Sequence, residues 1–184
     1  MKYEMVFFFL AIVLFIPAFS QRFEKPVEQK DRPNAIGFSI NIPMGSFSST
    51  HTIGFALDYT RSTRRYEKDT FTYKLIHFAM NGGVSYHGGE KTATAGNEFT
   101  YGGYINIYAM AGIDCKPAMP IVINLTTGPV MSIYEGNADL GFGVNLFSNY
   151  YLSPTIALGP GILFRKFEKT DALWTSIFRA SYSF

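Results

Sequence analysis

Residues 34–60 read NAIGFSINIPMGSFSSTHTIGFALDYT, two alternating stretches on either side of a turn-rich connection. In the first stretch Ile36, Phe38, Ile40 and Ile42 fall on one side and Ala35, Gly37, Ser39 and Asn41 on the other. In the second, Ile53, Phe55, Leu57 and Tyr59 alternate with Gly54, Ala56, Asp58 and Thr60. A period of two is that of a β-strand, whose successive side chains leave opposite faces. The connection PMGSFSSTH is made of residues that favour turns. The less apolar face decides what kind of β-structure this is. A soluble sheet would place Lys, Glu, Arg and Thr there, facing water, whereas these stretches place Gly, Ala, Ser, Asn and Thr with isolated charges. Such residues suit the confined interior of a narrow barrel, with the apolar face turned to lipid.

The pattern continues to the end of the chain. A third stretch, residues 70–86, sets Ile76, Phe78, Met80, Val84 and Tyr86 on the apolar side. A fourth, residues 99–113, sets Tyr101, Ile105, Ile107, Ala109 and Ile113 against Gly102, Tyr104, Asn106, Tyr108 and Gly112. Further alternating stretches begin near Ile121, Asp139, Thr155 and Trp174. Eight strands over the roughly 150 residues after Pro33 give a spacing of about 19, which suits membrane-crossing strands of about 9 to 11 residues plus connections. The reading is an all-β chain forming a closed antiparallel transmembrane β-barrel of about eight strands, up-and-down in topology.

Charge placement agrees. Arg61, Arg64, Arg65, Glu67, Lys68 and Asp69 cluster, as do Arg165, Lys166, Glu168, Lys169 and Asp171, and strand centres are nearly free of charge. A charge on the lipid face near the midplane would cost about 2 to 4 kcal/mol. Closure follows from the same solvent, because an open sheet edge in hydrocarbon leaves backbone groups without partners. Two aromatic girdles are expected, Phe147, Tyr150, Tyr151, Tyr182 and Phe184 at one end and Phe47, Tyr86, Phe99, Tyr101, Phe164 and Trp174 at the other.

The first residues point to export. Val6 to Ile16 is a short apolar run, and Ala18 and Ser20 stand at the −3 and −1 positions of a cut before Gln21. Residues 1–20 read as a signal peptide, 21–33 as a flexible periplasmic leader and 34–184 as the outer-membrane barrel. The run is too short for a transmembrane helix, which needs about 20 residues. Cys115, the only cysteine, cannot form an intrachain disulfide. A net charge of +2 with scattered basic residues gives nucleic acid no footprint.

The signal peptide ending FSQ, the opening IGFSINIPMGSFSSTHTIGFALDY and the closing WTSIFRASYSF resemble the small outer-membrane β-barrel proteins of Bacteroidota, of the porin-like and OmpX-like kind. The resemblance implies that the terminal aromatic strand is read by the barrel-assembly machinery, with Phe178, Tyr182 and Phe184 as the signal.

Little chemistry stands out. His51 lies near Ser48 and Ser49 and His87 near Ser85 and Glu90, but neither set forms a recognisable catalytic pattern, and the two imidazoles read as polar loop residues. No closely spaced pair of metal ligands occurs, so no metal or cofactor is expected. Asp58, His77, Asp139, Arg165 and Arg179 share the inward register and are expected to pair across the lumen. Arg61, Arg64, Arg65 and Lys68, in a turn expected at residues 61–69, form a possible periplasmic docking surface for a protein or for lipid phosphates. The functional expectation is a structural or accessory subunit among outer-membrane or periplasmic proteins, in contact with outer-membrane lipid. The alternatives are a lipid-modifying barrel enzyme and a small adhesin or receptor.

Overall fold

The computed structural model describes residues 32–63, 76–94, 97–118, 120–153, 155–168, 170 and 172–184. The signal peptide, most of the leader, and Arg64, Arg65 and Lys68 lie outside these residues. The elements in chain order are β1 (Asn34–Met44), the 3-10 turn η1 (Gly45–Ser49), β2 (His51–Ser62), β3 (Ile76–Gly89), β4 (Lys91–Thr94), β5 (Asn97–Thr100), β6 (Tyr104–Ala118), β7 (Ile121–Tyr134), β8 (Asn137–Tyr151), β9 (Ile156–Phe167) and β10 (Leu173–Ser183).

Eight of these strands close a barrel in the order β1-β10-β9-β8-β7-β6-β3-β2, while β4 and β5 form a separate two-stranded hairpin. Every neighbouring pair is antiparallel, and each barrel strand lies beside the one that follows it. Closure joins the first strand to the last, from Ala35 opposite Ser183 to Met44 opposite Trp174. The Phe184 amide donates to the Asn34 carbonyl at 2.9 Å, so no edge is left at the seam. Arg32 and Pro33, the end of the leader, are tied to the wall, with Arg32 Nη1 donating to the Ser183 carbonyl at 3.3 Å.

The strands alternate as their sequences require. Ile36, Phe38, Ile40, Phe55, Leu57, Phe78, Met80, Phe142, Ile162, Phe178 and Tyr182 point outward and are exposed. Ser39, Asn41, Asp58, Asn81, Asn106, Asn124, Asn145 and Arg179 point inward and are buried. This inversion, apolar outside and polar inside, is what lipid as the outer solvent selects.

Some boundaries move. The fourth expected strand divides, because Gly102 and Gly103 break it: residues 97–100 belong to the hairpin, and β6 runs from Tyr104 to Ala118. Arg61 belongs to β2, opposite Met80 of β3, and not to a turn. Between β7 and β8 only Glu135 and Gly136 make the turn, both with positive φ (49° and 79°), the twist that suits a two-residue hairpin. Phe47 and Phe147 leave the expected girdles and turn inward, 4% and 3% exposed, where they fill space that small residues leave open.

Candidate functional site

The lumen holds the charged groups, and glycines decide how they reach one another. Arg179 on β10 must cross β1 to meet Asp58 on β2. Gly37 stands opposite Asp58 on β1, and a Cβ there would lie 2.6 Å from the Arg179 Cζ. With hydrogen in its place the guanidinium lies across the strand. Its Nε donates to Asp58 Oδ2 at 2.9 Å, its Nη2 pairs with Asp58 Oδ1, and its Nη1 donates to Asn149 Oδ1 at 3.2 Å. Asn81 Nδ2 donates to Thr60 Oγ1 at 2.9 Å and to Asp58 Oδ1 at 3.3 Å, and Asn145 Nδ2 reaches Asn81 Oδ1 at 3.0 Å. The network joins β2, β3, β8 and β10 and so spans the barrel. Both charges are buried, and charge-assisted bidentate pairing of this kind is what makes such burial tolerable.

The same device recurs. Tyr108 lies over its cross-strand partner Gly83, Phe167 over Gly141, Phe147 over Gly161 and Arg165 over Gly143. Each glycine supplies the slot that a long inward side chain on the next strand occupies.

At the end of the barrel that carries η1, the lumen is covered from within. Phe47 dips from η1 and packs on His51 (centroids 4.7 Å apart), His87 (5.0 Å) and Tyr104 (5.6 Å), with Phe167 beneath Tyr104 at 6.2 Å. His51 and His87, expected in loops, are thus strand residues buried in an aromatic cluster, because the apolar ring of Phe47 draws them under it. Ser48 and Ser49 donate to the Gly45 and Ser46 carbonyls, at 2.8 and 2.7 Å, and the hydroxyl that meets His51 is that of Thr50, at 2.8 Å. Ser85 accepts from Asn106 at 3.3 Å.

The sequence matches no protein-family model and no curated protein. Solved structures do match. The outer membrane protein Ail of Yersinia pestis, in a phospholipid nanodisc, superposes with a TM-score of 0.54 at 12% identity, over 84% of this chain and 100% of that one. A de novo designed transmembrane β-barrel gives 0.53 at 10% identity, over 86% and 100%. The outer membrane enzyme PagL gives 0.52 at 8% identity, over 80% and 97%. The chain has the fold of the small outer-membrane barrels. At such identities the likeness is one of architecture alone.

The expected lumen residues fall in three groups. Asp58 and Arg179 pair. Arg165 does not pair as expected: it is buried, but its Nη1 donates to the Phe164 and Val144 carbonyls, at 2.8 and 3.2 Å, and its Cζ lies 5.1 Å from the centre of the Tyr108 ring. Asp139 takes no part in an ion pair among the described residues, since it sits at the rim, where its carbonyl accepts from Ser132 at 3.5 Å. His77 stands in the inward register opposite Asp114, near the end that holds the termini. Asp114 is buried and accepts from Asn124 Nδ2 at 2.7 Å. It is a lumen carboxylate that the sequence reading missed, although it shares the parity of Tyr104, Asn106 and Tyr108. Of the docking residues only Arg61 is described, exposed near the terminal end. Phe178, Tyr182 and Phe184 lie exposed on or just after β10. Among the described residues no cluster of His, Cys, Asp or Glu could hold a metal ion.

Proposed function

We propose that this protein is an integral outer-membrane barrel that serves as a non-catalytic structural or accessory subunit of an outer-membrane protein complex. The observation that carries this reading is the filled lumen: an ion pair and amides cross it and Phe47 covers one end, so the surfaces open to another protein are the wall and the two ends. The seryl hydroxyls near His51 are committed to backbone carbonyls, which supports a non-catalytic role. The terminal aromatic residues and the short apolar run ending in FSQ support export through a cleaved signal peptide, recognition by the barrel-assembly machinery and kinship with the Bacteroidota barrels. On this reading both termini and the basic segment with Arg61, Arg64, Arg65 and Lys68 face the periplasm, where they contact a partner subunit or lipid phosphates.

Solubilisation of native membranes in mild detergent, followed by identification of the chains that co-purify, tests it. A stoichiometric partner that is lost when Arg61, Arg64, Arg65 and Lys68 are replaced by Ser, with the barrel still folded, is the expected result. A solitary barrel in both cases overturns the accessory role. A second reading, a small adhesin or receptor, is favoured by the β4–β5 hairpin, which stands as its own sheet beside the barrel. Replacing residues 91–100 by a short turn would then abolish surface attachment and leave co-purification unchanged.

A further inference from the structure

We propose that the lumen binds a small inorganic anion at Arg165, with the Tyr104 hydroxyl as a second donor, beneath the cover formed by Phe47. The two lumen arginines are equally buried, 4% and 3% exposed, but they are differently satisfied. Arg179 spends its donors on Asp58, Asn149 and Thr60. Arg165 uses Nη1 alone, on two backbone carbonyls, and its Nε and Nη2 make no hydrogen bond among the described residues. No described carboxylate lies within ion-pair distance of it. The Tyr108 ring covers one face of the guanidinium, and Gly143 gives its stem room to lie against Met110 and Val130.

A buried guanidinium without a counter-charge is costly, and a ring face and two carbonyls offset only part of that cost. A methionine of similar length would fill the space without that cost, so the charge needs an opposite charge to offset it.

A second feature of the same region independently points to an acceptor. Tyr104, 5% exposed, has its Oη without a hydrogen bond of normal geometry. Ser132, whose hydroxyl donates to the Asp139 carbonyl at 3.5 Å, makes no hydrogen bond of normal geometry with it. His51 Nε2 and Asn106 Oδ1 are also without a partner nearby among the described residues, but the charged group is a guanidinium and the phenol beside it can donate, so the ligand that answers both is an anion. Size is limited by the fold, because an eight-strand barrel is just wide enough for its own side chains. Phe47, Phe167 and Tyr104 further close the η1 end. A chloride or a phosphate is therefore the class of ligand.

The test uses the barrel folded in detergent micelles and the Arg165 Nε–Hε resonance, assigned by its loss in Arg165→Met. Gluconate, too large for the lumen, is exchanged for chloride or for inorganic phosphate at fixed ionic strength. The expected result is a saturable shift of the Arg165 signal with at least one of the two, together with saturable shifts at Tyr108 that Arg165→Met removes. Should that variant fail to fold, Tyr104→Phe keeps the cation and should weaken the midpoint about ten- to a hundredfold, the worth of one hydrogen bond to a charged group. A shift that stays linear with both anions, or one of equal midpoint in Tyr104→Phe, overturns the proposal.

Discussion

At Asp58 the stability of the lumen is concentrated in one carboxylate. It accepts from Arg179 and Asn81, so its removal strands a buried guanidinium and an amide at once. Asp58→Ala should lower the stability of the folded barrel by about 3 to 5 kcal/mol, the cost of leaving one partner of a buried pair unpaired. Asp58→Leu combined with Arg179→Met should recover most of that loss. Urea unfolding in detergent, followed by circular dichroism, measures both. Gly37→Val should resemble Asp58→Ala, because its side chain would occupy the path by which Arg179 crosses β1. A Gly37→Val barrel of wild-type stability would show that the guanidinium does not need this route. Period two alone placed Asp58 and Arg179 inside, since parity along a strand needs no partner. Their pairing was less legible, because the residues lie 121 positions apart and their meeting depends on which residue stands between them on β1. Arg165 shows the limit of parity: inward is readable, paired is not. Asp114 was missed for a related reason, because the fourth expected strand stops at Ile113, while β6 continues to Ala118.

Among the elements, η1 is the one whose role the sequence obscured. GSFSS reads as a turn with an aromatic at the membrane interface, and nothing local tells whether Phe47 turns to lipid or to the lumen. The decision is made by distant residues, His87 on β3 and Tyr104 on β6, which present a pocket for the ring. Phe47→Ala should therefore uncover both imidazoles. In the wild type His51 and His87 should react slowly with an imidazole-directed acylating reagent, and in the variant much faster. The loss of a buried phenyl ring from the cluster should also cost about 3 kcal/mol. Equal rates of modification would show that the ring is not the cover. The proline positions are a second feature of the elements. Pro129 and Pro160 sit within β7 and β9, and the paired register of β6 with β7 skips Ala109 and Met110, while that of β8 with β9 skips Ser148 and Asn149. A proline offers no N–H to a ladder, so it can stand in a barrel strand only where the pairing is locally open.

For the whole molecule, lipid outside and side chains inside are two sides of one constraint. Each strand presents its large apolar residues to the hydrocarbon, which leaves the alternate positions to fill a cylinder of fixed small bore. The outer half of that statement was readable from composition, because Ile, Leu, Phe and Tyr recur at every second position. The inner half was only partly readable, because glycine and asparagine suggest open space while Tyr108, Phe147, Phe167, Arg165 and Arg179 in fact lie across it. The Asp58–Arg179 network and the Phe47 cluster stop the lumen at two levels. Purified protein in planar bilayers should therefore pass no stable, large single-channel current, since an ion would have to displace a buried salt bridge as well as an aromatic cover. Opening one level should not suffice: Phe47→Ala alone leaves Asp58, Arg179, Asn81 and Asn145 joined across the bore. Only the combination of Phe47→Ala with Asp58→Ser and Arg179→Ser should yield small conducting events, provided circular dichroism and heat-modifiable migration in detergent show that it remains folded. Large currents from the wild type would mean that the lumen side chains move aside in a bilayer, and the reading of a filled stave would fall with them.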